Sequence, residues 1–238
     1  MTRAAPLDTK HSRLVDEVVR RIASTILAGE LRPGDRLTVV PLAQEFGVSQ
    51  STMREALLML GQRGLVSMNP RHGTFVTRLS EQEAVDLCRM RALLEAYTIT
   101  IGGREIPDNT LEALRGQVAA MDQCVLPHDL PQLIQCDLVF HQLIAALGGS
   151  ETLLETWARL NGRIGALILR SMEQKQLRGA DLVRYHAEVV EALATRDVEI
   201  GRRAIIRHYI RGQKDEEEQT AAMAAAAGAV VAVVEAAG

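Results

Sequence analysis

From residue 12 onwards the apolar residues Leu14, Val15, Val18, Val19, Ile22, Ile26 and Leu27 recur at helical spacing, which predicts an amphipathic helix closed by Gly29. The stretch 31–37 then breaks the period and turns at Pro33-Gly34. Thr38 caps a short helix that ends at Phe46, with Pro41 in its first turn. After Gly47-Val48, Ser49 caps another helix over residues 50–63. Gly64 closes that helix, residues 65–68 read as a strand, 69–73 as a turn, and 74–76 as the returning strand.

Two short helices joined by a Gly-containing turn and followed by a hairpin make a winged helix-turn-helix. Its second helix is suited to the major groove of DNA. The wing tip carries Arg71 and Gly73, as close approach of a backbone to phosphate requires.

Beyond Leu79 the period is helical nearly to residue 213. Ser80 caps the first segment, with Glu81 and Glu83 in its opening turn. Breaks at Gly102-Gly103, Pro107, Pro127, Gly148-Gly149 and Gly179 divide the segment into six helices. These are expected near 80–101, 108–123, 128–147, 150–176, 180–194 and 197–213, and their short connections predict an antiparallel bundle. The expected fold class is therefore mainly α: an arm (1–11), a winged helix-turn-helix (12–78), an all-α antiparallel bundle (79–213) and an Ala-rich tail (214–238). The tail, with little bulky surface to bury, is read as a frayed helical extension or disorder with no assigned function.

Composition agrees with helix packing, since 47% of the 238 residues are apolar and only 3% aromatic. The net charge of −3 conceals an asymmetry. Residues 1–79 hold 11 Lys and Arg against 7 Asp and Glu, and the remainder holds 16 against 23. A basic module that binds a polyanion on an acidic body with another task is the implied arrangement. No apolar leader opens the chain, and the longest apolar run, 221–234, is too short to span a bilayer. Cys88, Cys124 and Cys136 form no CxxC pair and read as reduced core residues, so a cytoplasmic protein is expected, without membrane association.

Four polar residues interrupt apolar stripes of the bundle. Asp137 and His141 lie four apart on a face with Leu130, Leu133, Ile134, Ile144 and Leu147. His186 falls among Leu182, Val183, Val189, Val190 and Leu193, and His208 follows Ile200, Ala204 and Ile205. Groups of this kind facing one interior share a partner or form a hydrogen-bonded polar core. Imidazole with carboxylate suits a divalent Zn, Ni, Mn or Fe ion, and an i, i+4 pair can grip it from one helix. His11, His72 and His128 fall outside the pattern.

The segment LAQEFGVSQSTMREALLMLGQRGLVSMNPRHGTFV resembles the DNA-binding domain of the GntR family of bacterial transcription regulators, with the similarity covering residues 12–78. The resemblance implies DNA contacts from Gln50, Ser51, Thr52 and Arg54 on the recognition helix and from Arg71, His72 and Gly73 on the wing. Gln50 stands where Arg is common and Val40 where a charged residue is common. Gln reads adenine where Arg reads guanine, so the base preference need not follow the family's. Asp137-Leu138-Val139-Phe140-His141, His186 and His208 resemble the FCD ligand-binding domain of FadR-like members over residues 82–212. That resemblance implies a metal bound by Asp137, His141, His186 and His208 beneath a cavity for a small carboxylate effector. Arg91 is a candidate effector contact or a surface charge, and Arg163 a weaker effector candidate. Six helices point to the VanR-like subgroup, although Gly149-Ser150 stands where an Asn is common.

The leading expectation is a ligand-responsive repressor that binds a pseudo-palindromic double-stranded operator as a homodimer. A metal-dependent hydrolase with an accessory winged domain is the contrasting reading, weakened because no HExxH motif accompanies the histidines. A regulator with a purely structural metal is the third.

Overall fold

The computed structural model describes residues 9–175, 179–211 and 215–236. Residues 1–8 of the expected arm lie outside these, and α1 (Thr9–Leu27) already begins ahead of residue 12. Helix α2 (Val39–Phe46) and helix α3 (Gln50–Gln62) follow, separated by Gly47 in the left-handed conformation. Ser49 accepts the Thr52 backbone N–H and starts α3. The apolar face of α1, built from Val15, Val18, Val19, Ile22 and Ile26, is buried where it crosses α3, whose Met53, Ala56, Leu57 and Leu60 are likewise buried. Each of the larger side chains contributes about 1.5–3 kcal/mol.

Strands β1 (Val66–Asn69) and β2 (Gly73–Val76) pair antiparallel with Val66 opposite Val76 and Asn69 opposite Gly73. The stretch expected only to turn also adds a short outer rung to this wing. Leu37 N–H donates to Thr74 O at 2.8 Å, Val76 N–H donates to Asp35 O at 2.9 Å, and Arg36 bridges Phe75.

Helix α4 (Glu81–Gly102) opens on a capping box between Ser80 and Glu83. A 3-10 turn (Gly103–Glu105) leads to α5 (Asp108–Asp122), then α6 (Leu130–Ala145), α7 (Glu151–Ala158), a second 3-10 turn (Arg159–Arg163), α8 (Ile164–Lys175), α9 (Gly179–Ala194) and α10 (Val198–Ile210). Helix α4 packs against α10 and α6, and α5 packs against α6 and α9. The protein is mainly helical, with a winged N-terminal unit and an α-helical body, as the sequence pattern predicts.

Two expectations are corrected. The single helix expected at 150–176 is two α-helices, because Asn161-Gly162 weakens the helix and the Asn161 side chain instead accepts the Arg91 guanidinium at 2.8 Å. Seven α-helices therefore span 79–213 among the described residues, so the six-helix count that pointed to the VanR-like subgroup does not hold. Helix α11 (Glu216–Ala236) packs on α4 and α10 with Thr220, Ala224 and Ala227 buried, so where a frayed helical extension or disorder was expected the described tail is a docked helix. Small side chains let it lie close, and Arg207 pairs with Glu217 at 2.8 Å to hold its start.

The two units meet backbone to backbone. Gly165 N–H, at the start of α8, donates to Arg63 O at the end of α3 at 3.0 Å. A Cβ on Gly165 would stand 2.4 Å from that oxygen, and one on Gly64 would stand 2.7 Å from Ile164 N. No side chain fits between these chains. Gly165→Ala is expected to cost about 1–3 kcal/mol through this overlap, read as a lower denaturation midpoint; an unchanged midpoint would mean that the seam yields without strain.

Candidate functional site

On the winged unit, the N-terminal turn of α3 and the wing tip carry the expected DNA-facing groups. Gln50, Ser51 and Arg54 are exposed, and Arg54 Nη2 donates to Gln50 Oε1 at 3.2 Å, one helical turn away. Arg71 and His72 are exposed at the tip, where their backbone N–H groups donate to Asn69 Oδ1 at 3.0 and 3.3 Å. Gly73 closes this turn at φ +108°, a conformation that disfavours any other residue. Thr52 departs from expectation. It is 2% exposed and its hydroxyl lies 2.8 Å from Ser49 Oγ, so it supports the helix start rather than facing a groove.

In the body, α6, α9 and α10 bring Asp137, His141, His186 and His208 together. One ring nitrogen from each histidine lies within 4.8 Å of the others. Asp137 Oδ1 is 3.1 Å from His186 Nε2 and 3.8 Å from His141 Nε2. The second nitrogen of two rings is committed elsewhere: His186 Nδ1 is 2.7 Å from Leu182 O, and His141 Nδ1 is 2.8 Å from Glu95 Oε2. A carbonyl oxygen only accepts, so His186 Nδ1 carries hydrogen, and in the neutral form of the ring its Nε2 lone pair would face a carboxylate. Such a contact is repulsive unless a proton or metal ion lies between the two atoms. Asp137 Oδ2 is buried without a hydrogen-bond partner among the described residues, a costly arrangement that a cation relieves. The donor set fits a divalent metal, and the committed Nδ1 atoms are the outer hydrogen bonds that aim such ligands.

The charges agree. Burial would raise the Asp137 carboxyl, but His141, His186 and the Arg91 charge around it outweigh this and hold it at about 2. Burial, then His186 and His141, push His208 well below the ordinary imidazole range, leaving it neutral and available as a ligand at pH 7.

Beside the cluster is a cavity of about 70 Å³ whose apolar wall comes from α8 through Ile164, Leu167 and Ile168, with Ser171, Tyr185 and Arg211 adding polar groups. Its guanidinium is Arg211, which stacks on Tyr185 at 4.1 Å and pairs with Glu188. Neither expected effector contact lines this cavity. Arg91 is fully buried behind Tyr209, donating to the Tyr209 hydroxyl at 2.9 Å and to Asn161. Arg163 is 52% exposed and pairs with Glu83 on the surface.

The residue that sequence reasoning missed is Glu95. Fully buried on α4, it accepts from Trp157 Nε1 at 2.7 Å, from the Tyr209 hydroxyl at 2.6 Å and from His141, with Arg91 3.7 Å away. Burial holds the Tyr209 phenol well above its usual range, so it remains a donor. A signal was present: Arg91 and Glu95, four apart, share an apolar stripe with Leu87, Cys88, Ala92 and Ile99.

The model of the bacterial regulatory proteins of the gntR family matches residues 14–76, and the FCD domain model matches residues 86–211, more than half of the chain. The chain belongs to the GntR family, with an FCD domain. It is similar to an HTH-type transcriptional regulator in an unstable DNA locus of Streptomyces ambofaciens, at 27% identity over 81% of this chain and 80% of the relative. The "Probable D-xylose utilization operon transcriptional repressor" of Paenarthrobacter nicotinovorans is 27% identical over 84% of this chain and 85% of its own. The solved structure of E. coli McbR/YncC has the same fold at a TM-score of 0.56, with 22% identity, covering 87% of this chain and 98% of that one. This GntR-family protein is thus a transcription regulator and not an enzyme, which removes the hydrolase reading. Its family binds DNA operators, FCD domains often bind metal, and no described helix is long and apolar enough to cross a membrane.

Glu95→Ala would leave Arg91 buried without its carboxylate and is expected to destabilise the protein by about 3–5 kcal/mol. Chemical denaturation followed by Trp157 fluorescence measures this; a midpoint equal to wild type would show that the remaining partners satisfy Arg91.

Proposed function

We propose that this regulator is a cytoplasmic, homodimeric repressor that leaves a pseudo-palindromic operator when a small carboxylate metabolite enters the FCD cavity beside a divalent metal. Gln50, Ser51, Arg54, Arg71, His72 and Gly73 are the DNA-facing set, since the first five are exposed at the helix start and wing tip and Gly73, half-buried, closes the tip turn. Asp137, His141, His186 and His208 would hold the metal, which supplies a Lewis-acid position for a carboxylate oxygen. The observation that carries the reading is His186 Nε2 facing Asp137 Oδ1 across 3.1 Å, with its Nδ1 already on the Leu182 carbonyl, while Asp137 Oδ2 has no partner among the described residues. Arg211, not Arg91 or Arg163, supplies the cavity's positive charge for a carboxylate. Helix α8 supports coupling, since it walls the cavity and the N–H of its second residue, Gly165, is bonded to the end of the recognition helix. Release requires that the effector bind the DNA-competent and DNA-incompetent dimers unequally.

Purified protein should carry about one Zn, Ni, Mn or Fe ion per chain, as four protein ligands allow. Elemental analysis should show that His186→Ala loses it. Metal retention should also fall in acid, because ligating rings must be neutral, and for His208 the loss should come only well below the ordinary imidazole range, since burial keeps that ring neutral. Equal, negligible metal in wild type and variant after reloading would make the cluster a polar core.

A small carboxylate that raises the melting temperature of the metal-loaded protein should weaken operator binding by roughly 5- to 150-fold, and operator should weaken carboxylate binding by the same factor. Calorimetry with and without DNA tests this reciprocity; equal affinities would disconnect the cavity from the operator.

A further inference from the structure

The wing has a cation that neither the motif nor the family resemblance marked. Arg36 lies on the outer rung, opposite Phe75 in the same three-chain layer. Alternation along that rung sends its neighbour Leu37 into the core, where it is buried, and leaves Arg36 exposed on the other face. Phe75 and Gly73 are two apart on β2 and share that face. The guanidinium accordingly folds over the tip: a Cβ built on Gly73 would stand 3.3 Å from Arg36 Nε and 3.4 Å from Nη2.

Nothing acidic competes for this charge. Asp35, the adjacent carboxylate, accepts from the Arg32 backbone N–H at 2.8 Å, and no ion pair among the described residues involves Arg36. The sequence from Ala56 to Ser80, which contains the whole hairpin, holds no Asp or Glu but three Arg. Arg36 therefore joins Arg71 in one positive edge that also carries the His72 ring, with its planar donor fork beside the tip backbone. A guanidinium with unspent donors at the point where a glycine allows close approach is suited to an oxygen of the sugar-phosphate chain.

We propose that Arg36 is a further DNA contact of this regulator, one that grips a backbone phosphate alongside the wing tip and carries no base information. The proposal rests on the wing meeting DNA, as argued above. A phosphate contact adds affinity on every sequence and releases one condensed counterion, so it has a salt signature that packing does not.

The test uses full-length chain and a labelled duplex that wild type has selected from a random library, together with a scrambled duplex of equal length. Affinities are measured over a series of salt concentrations for wild type, Arg36→Gln, Arg36→Lys and Arg71→Ala. Arg36→Gln is expected to bind both duplexes about tenfold more weakly and to lower the slope of log K against log salt by about 0.9 per bound chain. Arg36→Lys, which keeps the charge, is expected to retain the wild-type slope. A wild-type slope in Arg36→Gln while Arg71→Ala loses slope would overturn the role of Arg36 and leave the wing contact standing. Unchanged slopes in both variants would overturn the wing reading itself, and a loss confined to the selected duplex would make Arg36 a base reader instead. If Arg36→Gln folds poorly, the Arg36→Lys result still decides, since loss of slope with the charge retained contradicts a phosphate contact.

Discussion

A single buried carboxylate organises the body of this regulator. Glu95 collects hydrogen bonds from α6, α7 and α10 while sitting on α4 beside Arg91. A group of this kind is costly to bury, and only a nearly complete set of donors makes the position tolerable. The same bonds have a second effect: by occupying His141 Nδ1, Glu95 leaves Nε2 to face Asp137 and the other histidines. Helix packing and ligand aiming are thus consequences of one network. Its precision depends on α4 being straight and well capped, which Ser80 and Glu83 provide at its start.

The Asp137–histidine cluster and the cavity share walls but differ in character. The cluster lies on α6, α9 and α10, which pack through apolar faces around it. The cavity borrows α8, which follows the irregular 159–163 turn and is tied to the winged unit by the Gly165–Arg63 backbone hydrogen bond. A ligand that changes the position of α8 acts directly on the segment following the recognition helix, without needing a long chain of side-chain contacts. Two discrete placements of α8 would satisfy the physical requirement for coupling.

Much of this was legible in the sequence because it depends on local rules. The caps Ser49 and Ser80, the turn glycines and the 3.6-residue stripes mark helices whose positions the structure reproduces within a few residues. Asp137, His141, His186 and His208 stood out because they are polar where their neighbours are apolar. What escaped depends on pairs distant in the chain. Asn161 interrupts a helix partly because Arg91, 70 positions earlier, takes its side chain. Arg91 was offered as an effector contact or a surface charge on the family resemblance, and its actual partner Tyr209, 118 positions away, is invisible in a local reading, although Glu95 one turn along the same helix was not. Helix α11 escaped because alanines offer little apolar area, yet their small size is what allows close approach to α4 and α10.

The Arg63–Gly165 contact has a consequence for how such proteins diversify. Its donor and acceptor belong to the main chain, so the identities of Leu167, Ile168 and Ser171 further along α8 do not enter into it. Successive turns of one helix therefore carry separable duties: a conserved-geometry anchor at the DNA-side end, and a cavity lining free to vary beyond it. Substitutions in the lining would change the shape and polarity of the cavity without altering the main-chain joint to the winged unit.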